Sequence, residues 1–198
     1  ETLREQSEHP LSNTTGNLNV VMGAGALYRN ANRSNLVAVG DSALYNNGMN
    51  STESWHAIGN TAIGSKTLYS NTTGCYNTAN GFEALYVNTT GTHNTANGFK
   101  ALYSNTTGIH NTANGYRALY ENSTGNYNTA VGNLAGPNSN DLTNTGAFGY
   151  GARTVSDNTI RIGNSNITQI GGYTAWSNLS DGRFKIHVQP NVPGLDFI

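Results

Sequence analysis

A period of 17 residues constrains this chain more than any other feature. Ala84-Leu85-Tyr86, Ala101-Leu102-Tyr103 and Ala118-Leu119-Tyr120 repeat one tripeptide at that spacing, and Thr67-Leu68-Tyr69 joins them one period earlier. Two sets of glycines keep the same beat: Gly74, Gly91, Gly108 and Gly125, and Gly81, Gly98, Gly115 and Gly132. The second set extends back to Gly23, Gly40 and Gly64 and forward to Gly149. Each step is 17 residues except Gly40 to Gly64, which is 24. A fixed short period means stacked supersecondary units, not one closed core. The long step implies a seven-residue insertion around Met49 to Trp55, bulging from the stack and carrying Trp55 and His56.

Within one repeat, Asn77-Thr78-Ala79-Asn80 alternates and reads as a strand, with Gly81 permitting a bend. Phe82 to Val87 is aromatic and aliphatic and reads as a second short strand. Asn88-Thr89-Thr90-Gly91 reads as a turn whose glycine takes positive φ. No segment shows the 3.6-residue apolar period of a long helix. The fold class expected is all-β, a parallel β-solenoid with 17-residue coils about 4.8 Å apart. A coil this small encloses little beyond Ala, Gly and one Leu, and thin cores are marginal. A homotrimer, in which each roll buries a second face, is the expected remedy.

Composition supports ladders of neutral side chains. The 198 residues include 31 asparagines but only 21 charged residues, and the net charge is −1. Stacked like charges repel, whereas stacked amides hydrogen-bond to one another. There is no basic footprint for nucleic acid, and no apolar run long enough to insert into a membrane. Glu1 to Pro10 are polar and unlike a signal peptide. Cys75 alone cannot form an intrachain disulfide.

The expected organisation is a lead-in over 1–12, repeats over 13–150, a final strand and connector over 151–175, and a distinct segment over 176–198. Asn80, Asn97 and Asn114 stand where Ile63 and Val131 stand in other repeats. They are expected to form a stacked amide column, possible as an axial column if it faces a trimer axis. His93 and His110 share a column with Tyr76 and Tyr127. Rings of histidine from three chains would suit a metal, but no carboxylate column accompanies them, so a ladder of flat side chains is the favoured reading. Glu83 and Lys100 fall one coil apart in a column shared with Arg117 and should pair weakly. Asn71, Asn88, Asn105 and Asn122 begin N-x-T sequons, either glycan acceptors or turn residues copied by repetition. Columns such as Thr78, Thr95, Thr112 and Thr129 offer a regular hydroxyl face. The repeats hold no paired carboxylates for glycoside hydrolysis, and no cofactor or metal is expected.

Two family resemblances sharpen these expectations. Asn128-Thr129-Ala130-Val131-Gly132, Asn60-Thr61-Ala62-Ile63-Gly64 and Val37-Ala38-Val39-Gly40 resemble the strand motif of YadA-type trimeric autotransporter adhesin heads. This resemblance covers 13–150 and implies a left-handed parallel β-roll assembled as a homotrimer. Trp176-Ser177-Asn178-Leu179-Ser180-Asp181-Gly182-Arg183-Phe184-Lys185 resembles the opening of the intramolecular chaperone domain of phage endosialidase tailspikes. That resemblance implies a module that assembles the trimer and then cuts itself off. Ser180 would be the nucleophile and Lys185 its general base, active only with the complete domain. The resulting expectation is a non-enzymatic extracellular fibre or adhesin segment on a cell or particle surface, binding a receptor or glycan. The alternative is the receptor-binding tail fibre of a phage or contractile injection device.

Overall fold

The computed structural model describes residues 3–4 and 15–170. The chain divides into two compact units, Glu1–Ser165 and Asn166–Ile198, and the β-structure belongs to the first. Its strands are β1 (Leu3–Arg4), β2 (Val20–Met22), β3 (Val37–Val39), β4 (Thr61–Ile63), β5 (Thr78–Asn80) and β6 (Thr95–Asn97). They continue as β7 (Thr112–Asn114), β8 (Thr129–Val131), β9 (Gly136–Pro137), β10 (Gly146–Phe148), β11 (Arg153–Thr154) and β12 (Ile160–Ile162). Ten of them form one sheet in chain order, and β9 pairs with β11 in a second, small sheet. The pairing is parallel throughout. The protein is an all-β parallel solenoid of 17-residue coils with no helix among the described residues, an architecture compatible with a β-roll.

The register follows the period: Ala79 faces Ala96, Ala96 faces Ala113 and Ala113 faces Ala130. The step from β10 to β12 is shorter, with Gly146 opposite Ile160. The sheet also reaches past both ends of the repeat region, through β1 and β12.

From β2 to β8 only the middle residue of each strand is buried. The column Val21, Ala38, Ala62, Ala79, Ala96, Ala113, Ala130 and Ala147 is buried, while its neighbours Thr78, Asn80, Thr95, Asn97, Thr112 and Asn114 are exposed. The opposite wall is the Ala-Leu pair of each repeat, such as Ala84-Leu85 and Ala101-Leu102, also fully buried. These two walls make one continuous apolar core.

The expected second strand, Phe82 to Val87, is instead a run of turns. Glu83 and Leu85 both take positive φ, 54° and 51°, and Leu27, Leu44, Leu68, Leu102 and Leu119 repeat the conformation at 51–52°. Left-handed backbone at a non-glycine residue costs on the order of 1–3 kcal/mol. Full burial of a leucine gains a comparable amount, about 1.5–3 kcal/mol. Inter-coil hydrogen bonds also persist through the turns: Leu85 N–H donates to Ala101 C=O at 3.0 Å and Val87 N–H to Tyr103 C=O at 3.1 Å. Where this leucine position becomes Gly136 and then Arg153, the segment straightens into β9 and β11.

Two glycine columns serve different ends. Gly81, Gly98, Gly115 and Gly132 bend the chain after each strand at φ 133–138°. Gly74, Gly91, Gly108 and Gly125 do not take the positive φ expected of turn glycines. They are needed for space: a Cβ on Gly91 would collide with the Asn88 amide oxygen and the Gly108 carbonyl.

Candidate functional site

Turn geometry creates two surface ladders with a groove between them. Placing Leu85 inward leaves Phe82 and Tyr86 of the same turn outside, and the period copies them from coil to coil. One ladder stacks Phe82, Phe99 and Tyr116, with ring centroids 5.5 and 5.2 Å apart. The other runs through Tyr28, Tyr45, Tyr69, Tyr86, Tyr103 and Tyr120, with separations of 4.9–5.4 Å. Offset stacking at this distance is worth about 0.5–1.5 kcal/mol per pair beyond area burial.

The groove floor is the column Gly25, Ser42, Lys66, Glu83, Lys100 and Arg117, every member with positive φ. Lys100 Nζ lies 5.5 Å from the Phe99 ring centre and 5.1 Å from that of Tyr103. The next coil repeats this: the Arg117 guanidinium carbon is 5.4 Å from Tyr116 and 5.0 Å from Tyr120. Each cation is held between the negative faces of two rings. The expected Glu83–Lys100 pair forms at 3.1 Å. The hydrogen bond to Glu83 holds the Lys100 ammonium above its usual range, with burial opposing it. Burial, followed by the charge of Glu83, pushes the Tyr103 phenol up.

In the first coils the same groove is open. Ala24 and Asp41 replace the aromatic wall, and Gly25 and Ser42 replace the charged floor. The result is a cavity of about 280 Å³ lined by these four residues with Tyr28 and Tyr45.

The expected amide column exists in register, Asn80 opposite Asn97 and Asn97 opposite Asn114. In the single chain all three side chains are on the outer strand face and exposed. Two other asparagine columns carry the interior. Asn77, Asn94 and Asn111 each accept a bond from the backbone N–H of the following column member at 2.9–3.0 Å. Each also donates Nδ2–H to a glycine carbonyl 14 residues ahead at 2.8–2.9 Å. The second column, Asn71, Asn88, Asn105 and Asn122, passes amide bonds from coil to coil at 2.8–3.0 Å. These are the sequon asparagines. They are 0% exposed and also donate Nδ2–H to Gly74, Gly91, Gly108 and Gly125. The folded chain therefore offers no glycan acceptor at these four positions, and turn chemistry is what the repetition preserves.

The insertion enters at one of these turns. Asn47 Nδ2–H donates to Ala57 C=O, ten residues on, where the regular repeat spans three. Arg33, 2% exposed, anchors the loop through bonds of 2.7 Å to the carbonyls of Glu53 and Ser51. Trp55 projects from it, 61% exposed and edge-on to His56. The His93–His110 pair stacks at 4.9 Å between Tyr76 and Tyr127, as a ladder of flat rings. Among the described residues no group of three or more His, Cys, Asp or Glu is arranged for a metal, and no helix is long and apolar enough to cross a membrane. Burial raises the pKa of Cys75, which keeps it a thiol.

Ser180 and Lys185 lie outside the described residues. The sequence foresaw the turn role of Asn71, Asn88, Asn105 and Asn122 but not the tyrosine ladder or the buried column of Asn77, Asn94 and Asn111. Their signal was nevertheless present: the tyrosines recur across the 24-residue step, from Tyr45 to Tyr69, and the asparagines recur every 17 residues from Asn60 to Asn128. No family model matches the chain, and no curated protein and no solved structure matches it either.

Proposed function

We propose that the chain is a segment of a homotrimeric extracellular fibre or adhesin, a left-handed β-roll displaying a binding surface on a cell or particle. The observation that carries this reading is a stack whose regularity is spent on outward-facing ladders rather than on a catalytic cleft. Three features support self-association. The apolar core of the roll is mostly alanine and one leucine column. Its outer strand face exposes apolar residues at both ends, Met22 and Ile63 at one and Val131 and Phe148 at the other. Between them lies the Asn80, Asn97 and Asn114 column, which rings of three amides would satisfy on an axis. Sedimentation at micromolar concentration should give one species of three chains, and a stable folded monomer would reject the assembly. A glycan array probed with the trimer tests display; absence of binding to any glycan would redirect the search to protein receptors.

Maturation belongs to the same proposal. In a precursor with the complete C-terminal domain, the Ser180 hydroxyl attacks the carbonyl of an adjacent peptide bond, Lys185 takes the hydroxyl proton and passes it to the departing amine as the C–N bond breaks, and water hydrolyses the resulting ester. The precursor should yield two fragments on a denaturing gel, and Ser180→Ala should leave one band. Cleavage of the serine variant at the same bond would remove Ser180 from that role.

A further inference from the structure

The groove between the ladders is filled in some coils and empty in others, and the contrast identifies what fits it. In two successive coils the chain inserts its own cation between the rings, Lys100 between Phe99 and Tyr103 and Arg117 between Tyr116 and Tyr120. A carboxylate, Glu83, completes the first of these sites at 3.1 Å. In the first coils the tyrosine wall continues as Tyr28 and Tyr45, stacked at 4.9 Å. A carboxylate is present there too, on Asp41. The floor positions, Gly25 and Ser42, supply no cation, and the chain's own contact with these rings is the Arg29 guanidinium 6.0 Å from the Tyr45 ring centre. The cavity of about 280 Å³ lies at this gap. Asp41 is exposed, and among the described residues its carboxylate meets no cation within salt-bridge distance.

We propose that this open end is a binding site for a lysine side chain presented by a partner protein. The four-carbon stem would lie along Tyr28 and Tyr45, bringing the ammonium to the ladder's edge as Lys100 Nζ is brought to Tyr103. The ammonium would reach the Asp41 carboxylate, with the Ser42 hydroxyl as a further acceptor. Lysine is favoured over other cations because the chain itself sets an ammonium, that of Lys100, against a ring of the tyrosine ladder and a carboxylate, the two partners that Tyr45 and Asp41 supply here. An exposed ammonium over an aromatic face is attracted modestly, so a single lysine should bind weakly, and repetition of the contact on a fibre would raise avidity. The site lies within one chain, so its failure and the failure of the trimer proposal are separable.

The test is a titration of the full chain with Nα-acetyl-lysine methylamide, following the amide resonances of Gly25 and Ser42 and the ε-methylene protons of the ligand. Both sets should shift, the ligand protons upfield, with a dissociation constant on the order of millimolar. Asp41→Asn should weaken binding by about two- to fivefold. Ser42→Lys should abolish it by filling the groove from within. Lysine is compatible with that backbone, since Lys66 and Lys100 hold φ of 57° and 53° in the same column. Binding of the neutral Nε-acetylated ligand with equal strength would overturn the proposal, as would preference for glucosamine over the lysine amide. Unchanged Gly25 and Ser42 resonances, or wild-type affinity in Asp41→Asn, would overturn it as well.

Discussion

Asn94 sets the scale of what one side chain does here. Its carbonyl oxygen accepts the Asn111 N–H at 2.9 Å, and its amide donates to Gly108 C=O at 2.8 Å, all of it buried. Asn94→Ala deletes the acceptor and leaves the Asn111 N–H without it inside the roll. Each buried group so orphaned costs about 1–3 kcal/mol, and urea unfolding should show a loss of at least that size. Asn97, three residues away, is exposed in the single chain, so its substitution should stay within about ±0.5 kcal/mol unless a partner covers it. The sequence pointed to an asparagine column at Asn80, Asn97 and Asn114 and to turn residues at Asn71, Asn88, Asn105 and Asn122, and overlooked the interior column of Asn77, Asn94 and Asn111. Composition announces amide ladders, but the side of the chain an asparagine occupies depends on turns whose φ values no propensity predicts. A left-handed leucine, as at Leu85, is the clearest such case: its burial, not its local preference, selects the conformation.

At the scale of the element, the strand and the glycine bend were legible and the second wall was not. Alternation over Asn77 to Asn80 identifies β5 because Asn77 and Ala79 turn inward while Thr78 and Asn80 turn out. Phe82 to Val87 has the composition of a strand, yet its inward pair Ala84-Leu85 is adjacent, which strict alternation cannot accommodate. Consecutive inward side chains require a kinked backbone, and the turns supply it while inter-coil hydrogen bonds continue. The bend glycines tolerate no replacement for the same geometric reason. Gly98 holds φ at 137°, and a Cβ there would meet the Gly115 carbonyl oxygen at 2.5 Å. Gly98→Ala should therefore cost at least about 1–3 kcal/mol from backbone strain alone, with the collision adding to it. A thermal melt of that variant should fall well below that of Thr95→Ala, which changes an exposed strand residue one turn of the pleat away.

For the whole molecule, repetition adds small contacts into a property of the stack. The ladder cations and phenols make that property sensitive to alkali. Lys100 is held above its usual value by Glu83, and Tyr103 is raised by burial. Both folded-state values thus exceed the unfolded ones. Their contribution is fully present below about pH 10 and is lost as pH rises through the folded values. Urea midpoints should hold up to about pH 10 and fall above it, and Lys100→Met should flatten part of that fall. The second whole-molecule consequence concerns the outer strand face. If three rolls meet there, position 97 lies close to the axis and each substitution is applied three times. Asn97→Lys would then bring three ammonium groups together in a poorly solvated place, where like charges repel strongly. The single-chain fold has no reason to object, because residue 97 is exposed in it. The expected outcome is a chain with an unchanged β-sheet circular dichroism signal that sediments as a monomer, with a melting temperature that no longer depends on protein concentration. Asn97→Val should do the reverse, keeping three chains together and raising the concentration-dependent melt. If Asn97→Lys still sediments as three chains, the axis lies on another face, and the exposed amide column faces solvent.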